Sequence, residues 1–210
     1  DNPDQGIVRG REFLHPQLRF ALQFPEGWHV QNSPERVIAG ESGRNSYMVL
    51  QFVNEMGSNL RRIAEAEMIG AGFDVEQGIM TDVNGLEAYL GTYSQVVREL
   101  GTIVGKVVHI RLGSSIYMLG GFAPVTEYQA IERDITDSLT SFRELTASEA
   151  GTIRPSRISI YVVTDGDTWE SLASQEGTNI ISASTLAIMN GYALDEEPCL
   201  GDRVKIVVSG

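Results

Sequence analysis

The chain has 210 residues, of which 42% are hydrophobic and 21% charged, and its 16 basic and 28 acidic side chains give a formal charge of −12. Lys106 and Lys205 are its only lysines, and its arginines are scattered, whereas a binder of nucleic acid or anionic lipid needs clustered basic residues. No apolar run reaches the roughly 18 residues of a membrane helix, and a single cysteine excludes an internal disulfide framework. Composition therefore predicts a globular protein with no nucleic-acid partner and no membrane span.

Residues 1–18 are polar and rich in turn formers, and we interpret them as an N-terminal extension. Asp1 is not an initiator methionine, and no charged-then-apolar signal region follows it. We therefore expect either that a leader was removed or that this chain is a piece of something longer.

From Arg19 onward the sequence alternates between apolar and polar residues, which predicts a half-buried strand with Phe20, Leu22 and Phe24 on one face. Trp28 begins a second extended segment, and it is interpreted as a core residue rather than a sugar platform. Further strands are predicted over 37–40, 47–53, 78–83, 86–97, 103–112 and 116–123. Asn84-Gly85 predicts a tight hairpin turn between two of them, because both residues tolerate a left-handed backbone.

Two amphipathic helices complete this region. Ser58 or Asn59 caps the first, and Thr126, with Gln129 three residues later, is predicted to form a capping box for the second. The apolar stripe of the first helix consists of Leu60, Ile63, Ala64 and Met68. Residues 19–146 are therefore predicted to form an α+β domain, an antiparallel sheet with packed helices.

Small residues and proline cluster over 147–157, which predicts a linker. The next segment, 158–208, has the order β-α-α-β. Asp167 is predicted to cap its first helix, with Glu170 at the capping-box position. Asn190-Gly191 is predicted to end the second helix as its C-cap.

This last segment resembles a LysM module. The resemblance rests on three stretches in the expected order: YVVTDGDTWESLASQEG, STLAIMNGY and LGDRVKIV. LysM modules bind N-acetylglucosamine polymers in peptidoglycan or chitin, in a groove between the Gly-Asp-Thr turn and the loop after the second helix. The resemblance implies that the glycan-binding residues are Gly166, Asp167, Thr168, Asn190, Gly191 and Tyr192. The alternative is that these residues are only caps and turn formers of the fold.

The first domain also resembles a known family. The stretch FALQFPEGWHV resembles the strand–Pro–Gly–Trp opening of PsbP-like domains. The longer stretch DNPDQGIVRGREFLHPQLRFALQFPEGW is similar to the region just beyond the protease domain in bacterial zinc metallopeptidases of the M-forty-eight, CAAX-prenyl-protease-like family. In some envelope members the order is protease, PsbP-like domain, LysM-like tail. The resemblance implies zinc in the missing protease domain and no cofactor in this chain.

The catalytic HExxH helix of that family has no counterpart here, because the three histidines, His15, His29 and His109, lie far apart in the sequence. His15 is interpreted as a loop residue and His29 as lying on the polar face of a strand, while His109 is mid-strand and equally suits the sheet surface. Other motifs are weaker candidates for a functional site. Asp165-Gly-Asp167 lacks the further oxygens of a calcium loop, and no basic neighbour activates Cys199. Gly120-Gly121 indicates a bulge or a close backbone approach.

Three functions remain as hypotheses. The first is a non-catalytic accessory region of an envelope-associated zinc metalloprotease, periplasmic or secreted, which contacts cell-wall glycan or protein beside the protease domain in cis. The second is a stand-alone protein that binds peptidoglycan through residues 158–208. The third is a structural pair of domains that serves protein contacts only. The sequence favours the first.

Overall fold

Antiparallel pairing of strands organises most of the chain in the computed structural model, which describes residues 6–55, 57–174 and 181–208. These residues form two compact units, one up to Ala150 and the other from Gly151 onward. The elements of the first unit are β1 (Ile7–Arg9), β2 (Glu12–His15), β3 (Phe20–Gln23), β4 (His29–Asn32), β5 (Arg36–Gly40), β6 (Tyr47–Val53), α1 (Leu60–Gly70), β7 (Asp74–Val83), β8 (Leu86–Val97), β9 (Gly101–Leu112), β10 (Ser115–Pro124), α2 (Val125–Thr140) and β11 (Arg143–Glu144). Helix α3 (Ala147–Thr152) spans the boundary between the units.

The first unit, called the large unit below, contains two antiparallel sheets. One has four strands in the order β1-β2-β3-β11, and the other has seven in the order β4-β5-β6-β10-β9-β8-β7. Successive residues of a strand face opposite sides of its sheet, so Leu119 contributes to one hydrophobic core while its neighbour Met118 contributes to another. The first core includes side chains of α2 and β3, and the second includes those of α1. The predicted α+β class, with antiparallel strands and packed helices, is thus observed.

Several local predictions are confirmed in this unit. The side chain of Asn59 accepts a hydrogen bond from the Arg62 amide as the N-cap of α1. Asn84 and Gly85 both have positive φ angles, 52° and 85°, in the β7–β8 hairpin. A Cβ on Gly121 would lie 2.5 Å from Ile135 Cγ2, so α2 approaches the backbone closely at this glycine.

Other predictions are wrong. Helix α2 begins at Val125, directly after β10, and its N-cap is Pro124, which makes no side-chain cap bond. Thr126 therefore lies inside the first turn, and the predicted capping box with Gln129 does not form. The strand runs straight into the helix here, so no loop residue is left to cap it.

The N-terminal segment also differs from expectation. Where a polar, turn-rich extension is expected over 1–18, the described residues include strands β1 and β2. Strand β1 pairs with β2, and β2 pairs with β3. Ile7 and Phe13 are each only 1% exposed, so these strands belong to the core of the large unit. Each of these strands has two adjacent apolar residues, Ile7-Val8 and Phe13-Leu14, instead of an alternating pattern, so the sequence does not reveal it.

The second unit, called the small unit below, has the predicted β-α-α-β order. Its elements are β12 (Arg157–Val162), α4 (Trp169–Ala173), α5 (Ala183–Met189) and β13 (Arg203–Val208). The two strands pair antiparallel, with Tyr161 opposite Val204. One face of this ribbon packs on the helices, and the core consists of Val163, Trp169, Leu172, Leu186, Ala187, Val204 and Ile206. Ile158 and Ile160 lie on the other face and are more than half exposed.

Where the sequence predicts a linker over 147–157, the structure has helix α3 in the first half of that range. The Glu149 amide donates to Thr146 Oγ1, and the Thr146 amide donates to a Glu149 carboxylate oxygen. This reciprocal pair is a capping box, which stabilises a short helix in a sequence rich in small residues. Beyond it, residues 153–156 are irregular up to β12.

Candidate functional site

The first half of the predicted glycan site is the turn before α4. The Asp167 carboxylate accepts hydrogen bonds from the Thr164 amide, at 2.7 Å, and from the Thr164 hydroxyl, at 2.8 Å, and so closes the turn. The N-cap of α4 is Thr168, whose side chain accepts from the Ser171 amide while Ser171 Oγ accepts from the Thr168 amide. The prediction that Asp167 caps the helix, with Glu170 at the box position, is therefore wrong by one residue. Because the Asp167 carboxylate is hydrogen-bonded within the turn, the hydroxyl of the next residue, Thr168, caps α4 instead.

The second half is the end of α5. Asn190 is its C-cap and Gly191 follows with a φ of 81°, so the predicted Asn-Gly stop is confirmed. The Asn190 side chain donates to the carbonyls of Leu186 and Lys205, and its Oδ1 accepts from the Lys205 amide at 2.7 Å. Asn190 thus ties the helix end to β13, and its amide group is committed to the fold.

Trp169 joins the two halves. Its indole Nε1 donates to the Glu196 carbonyl at 2.8 Å, and its backbone amide donates to the Glu197 carboxylate at 2.9 Å. The Tyr192 ring packs edge-on against the indole with 5.0 Å between ring centroids. The Thr164–Thr168 turn and the loop over 191–197, which we call the turn–loop surface, therefore lie side by side.

Tyr192, one of the residues that the resemblance assigns to glycan binding, does not present a free ring face to a sugar. Its ring is half-buried, and its hydroxyl donates to Asp202 Oδ2 at 2.6 Å. The same Asp202 oxygen accepts from the Cys199 amide, so the tyrosine is fixed to the turn that precedes β13. The sequence does not predict this contact, because the two residues lie ten positions apart in the irregular segment between α5 and β13.

The surface retains main-chain groups for a ligand. In the part of the chain that the structure describes, the amides of Asp165, Gly166 and Leu194 donate no hydrogen bond. Leu194 is 70% exposed, which leaves an apolar side chain on the loop next to Tyr192. No sequence pattern points to Leu194, because one exposed leucine in a loop has no motif around it.

Carboxylates dominate the electrostatics of this surface. The hydrogen bond from the Thr164 amide lowers the pKa of Asp167, and the hydrogen bond from the Tyr192 hydroxyl lowers the pKa of Asp202. The same bond to Asp202 raises the pKa of Tyr192 to about 12. Further acidic residues in the two segments are Asp165, Asp195, Glu196 and Glu197. Such a surface repels anions and accepts neutral or cationic ligands.

The histidines lie in different surroundings. His15 is on strand β2 and only 7% exposed, and its Nδ1 accepts from the Leu18 amide at 3.2 Å, so its placement in a loop is wrong. His109 is fully buried, and its Nε2 lies 2.7 Å from Glu67 Oε2, which excludes the sheet surface. His29 is exposed on β4, as expected. No group of three or more His, Cys, Asp or Glu with metal-site geometry occurs among the described residues.

The remaining candidates are placed as follows. Trp28 is buried in the large unit, as predicted for a core residue, and Cys199 is exposed. The Asp167 carboxylate is turned onto Thr164 rather than towards a cation. None of the described helices is long and apolar enough to cross a bilayer.

Comparison of the sequence with protein-family profiles and with curated proteins gives no match. Among solved structures, the chain is similar to CyanoP, the cyanobacterial PsbP of Synechocystis, at 12% identity and a TM-score of 0.49 over 66% of this chain and 94% of that one. It is similar to a mutant of the protein Mog1 at 12% identity and a TM-score of 0.48 over 63% and 94% of the two chains. The chain is also similar to LpqN of Mycobacterium tuberculosis, which is described as involved in cell envelope biogenesis. The identity is 13% and the TM-score 0.43, over 60% of this chain and 83% of that one. Similarity this remote transfers neither a family nor an activity to this chain.

Proposed function

We propose that this chain is a non-catalytic region that binds N-acetylglucosamine polymers of the cell wall through its small unit. The observation that carries the proposal is the turn–loop surface, where Trp169 joins the two segments that the LysM resemblance assigns to the groove. Free amides at Asp165, Gly166 and Leu194 match the acetamido carbonyl of the sugar. The side chains of Asp167, Thr168, Asn190 and Tyr192 hold these segments in place, and the backbone and Leu194 contact the ligand.

The charge of the surface supports a neutral ligand. Its segments carry carboxylates and no basic residue, so a phosphate, sulfate or uronic-acid polymer is repelled. An N-acetylglucosamine chain is uncharged, and its ring C–H groups pack on apolar side chains such as Leu194. The proposal therefore names a glycan with acetamido groups and no net charge at the contacted sugars.

The wider setting rests on the resemblance of the whole chain. It supports a place beside a zinc metallopeptidase domain in cis, in the cell envelope, with zinc held by that domain. The alternative is a stand-alone peptidoglycan-binding protein without enzymatic activity, periplasmic or secreted. The size of the native product, detected with an antibody against this chain, separates the two. Attachment to a protease domain requires a product far larger than 23.0 kDa, and a product of about this size contradicts it.

Calorimetric titration of the chain with the tetramer of N-acetylglucosamine tests the glycan proposal. Cellotetraose, which has the same linkage but no acetamido groups, is the matched control ligand. We expect saturable binding of the first sugar and none of the second. Equal binding of both sugars, or of neither, contradicts the proposal.

A pair of variants locates the binding. Leu194→Ser removes an exposed apolar side chain from the turn–loop surface and is expected to weaken binding by about fivefold. Ile158→Ser removes a side chain of similar exposure, 62%, from the face of β12 that is turned away from the helices, and is expected to leave binding unchanged. An equal effect of both variants would place the glycan elsewhere.

A further inference from the structure

A cavity of about 250 Å³ opens in the large unit, and the glycan proposal does not use it. Its walls come from strands of both sheets, and aromatic rings make up much of them. Phe20 and Tyr117 lie at the back with 4.8 Å between ring centroids, and Phe52 packs edge-on against Tyr117 at 5.9 Å. Phe52 is 50% exposed although it contacts buried rings, so an aromatic wall is open to solvent.

The walls suit an aromatic ring. Aromatic pairs prefer edge-to-face or offset contacts at centroid distances of 4.5–7 Å, and the rings that line this cavity already contact one another in this way. Small-molecule sites are concave and mostly apolar, with a few polar groups that set orientation. Such sites usually measure roughly 300–1,000 Å³. A cavity of about 250 Å³ lies just below that range, which favours a ligand with a single ring.

Two opposite charges, Glu35 and Arg36, also line the cavity. Neither side chain forms an ion pair or a hydrogen bond within residues 6–55, 57–174 and 181–208, and they do not pair with each other. Their backbone is fixed, because Ser33 Oγ donates to the Arg36 carbonyl at 2.7 Å and the Ser33 amide donates to the same oxygen at 3.1 Å. A rigid turn thus presents a cation and an anion beside the aromatic walls.

We infer that this cavity binds a free aromatic α-amino acid. The ligand ring packs against Phe52 and Tyr117 on the open side of the aromatic wall, the ligand carboxylate pairs with the Arg36 guanidinium, and the ligand ammonium pairs with the Glu35 carboxylate. A zwitterion satisfies both charges at once, whereas a ligand with one charge leaves the other side chain unpaired. The cavity is built from residues of the large unit alone, so the inference is independent of glycan binding.

Titration of the full chain with L-phenylalanine, followed by amide chemical shifts, tests the inference. The single-charge probes are 3-phenylpropionate, which lacks the ammonium, and phenethylamine, which lacks the carboxylate. Each exposed charge pair is worth up to about fivefold in affinity, so L-phenylalanine is expected to bind about fivefold more tightly than either probe. Equal affinity for L-phenylalanine and one of the probes would overturn the inference that both ligand charges are recognised. The absence of a saturable shift at about 20 mM L-phenylalanine would overturn the inference that the cavity is a binding site.

Variants assign the two charges. Arg36→Gln is expected to weaken the binding of L-phenylalanine and 3-phenylpropionate and to leave the binding of phenethylamine unchanged. Glu35→Gln is expected to weaken the binding of L-phenylalanine and phenethylamine and to leave the binding of 3-phenylpropionate unchanged. Phe52→Ala is expected to weaken all three ligands. Arg62→Gln, a change at an exposed arginine of α1, is the matched control and is expected to change none. Loss of binding in Arg62→Gln equal to that in Arg36→Gln would show a non-specific charge effect and overturn the assignment.

Discussion

The two units of this protein reach a fixed structure in different ways. In the large unit, the seven-stranded sheet has hydrophobic cores on both faces, and residues such as Phe20, Tyr93 and Phe142 are almost fully buried. The small unit has seven buried core residues in the part of the chain that the structure describes, and its turns are held by backbone amides that donate to the side chains of Asp167, Asn190 and Asp202. We expect the stability of the large unit to come mainly from the burial of apolar side chains. In the small unit we expect polar contacts at the ends of helices and strands to contribute a large share of the stability. In the small unit, the residues that hold the fold are therefore also those that shape the proposed site.

The largest expected effect is the loss of a buried ring in the large unit. Phe20 is 2% exposed and contacts Tyr117 and Phe142, so Phe20→Ala is expected to lower the free energy of unfolding by about 4 kcal/mol. Urea unfolding followed by amide signals of the large unit measures it. The control is Phe52→Ala, which removes a half-exposed ring and is expected to cost about 1 kcal/mol. Equal costs would mean that burial does not decide stability there.

In the small unit, a polar residue is expected to matter almost as much. Asn190→Ala removes two hydrogen bonds that join the end of α5 to β13 and one to the Leu186 carbonyl within α5, and it is expected to destabilise this unit by about 2 kcal/mol. Unfolding followed by signals of residues 157–208 measures the change. Asp195→Ala is the control, because Asp195 is exposed and has no hydrogen-bond partner among the described residues. If both substitutions have the same small effect, polar contacts do not stabilise the unit.

A smaller effect is expected at the N-cap of α4. Thr168→Ala is expected to destabilise the small unit by about 1 kcal/mol, because the Ser171 amide loses its acceptor. Thr168→Ser retains the hydroxyl and is expected to keep most of the stability. A melting curve of the small unit that is unchanged in Thr168→Ala would show that the cap contributes nothing.

The smallest effect is a dependence on pH. The pKa values of Asp167 and Asp202 are lowered in the folded state, so their contribution to stability is complete above the unfolded-state pKa of about 3.9 and is lost as the pH falls through the lower folded values. Urea midpoints of the small unit are therefore expected to stay level down to about pH 5 and to fall between about pH 5 and about pH 2.

The double variant Asp167→Asn/Asp202→Asn is expected to lose much of this dependence, whereas Asp195→Asn is expected to keep it. Signals of the large unit serve as an internal reference in the same titration. An undiminished dependence in the double variant would assign the titration to other groups.

The sequence predicted what local chemistry determines and missed what distant partners determine. Alternating strands, the Asn84-Gly85 turn and the Asn190-Gly191 stop were all predictable, because each depends on neighbouring residues. Strands β1 and β2 were not, since β1 is held by pairing with β2 and β2 by pairing with β3, rather than by a pattern of their own. The cap of α4 was misplaced by one residue because both Asp167 and Thr168 are good N-caps, and the bond to Thr164 decides between them.

The candidate site shows the same division. The resemblance named Gly166, Asp167, Thr168, Asn190, Gly191 and Tyr192. The structure brings the two segments that contain them to the two sides of Trp169. It also shows that the side chains of Asp167, Thr168 and Asn190 serve the fold. Which main-chain amides remain free depends on contacts between loops, which no pattern along the sequence records.

An amide-resolved titration of the chain with the N-acetylglucosamine tetramer tests the proposed function most directly, because it shows where the glycan binds. Glycan binding by the small unit predicts saturable shifts at Asp165, Gly166 and residues 191–197, with the signals of the large unit unmoved. Shifts confined to the large unit, or no shifts at about 20 mM glycan, would contradict the proposal that the small unit binds the glycan.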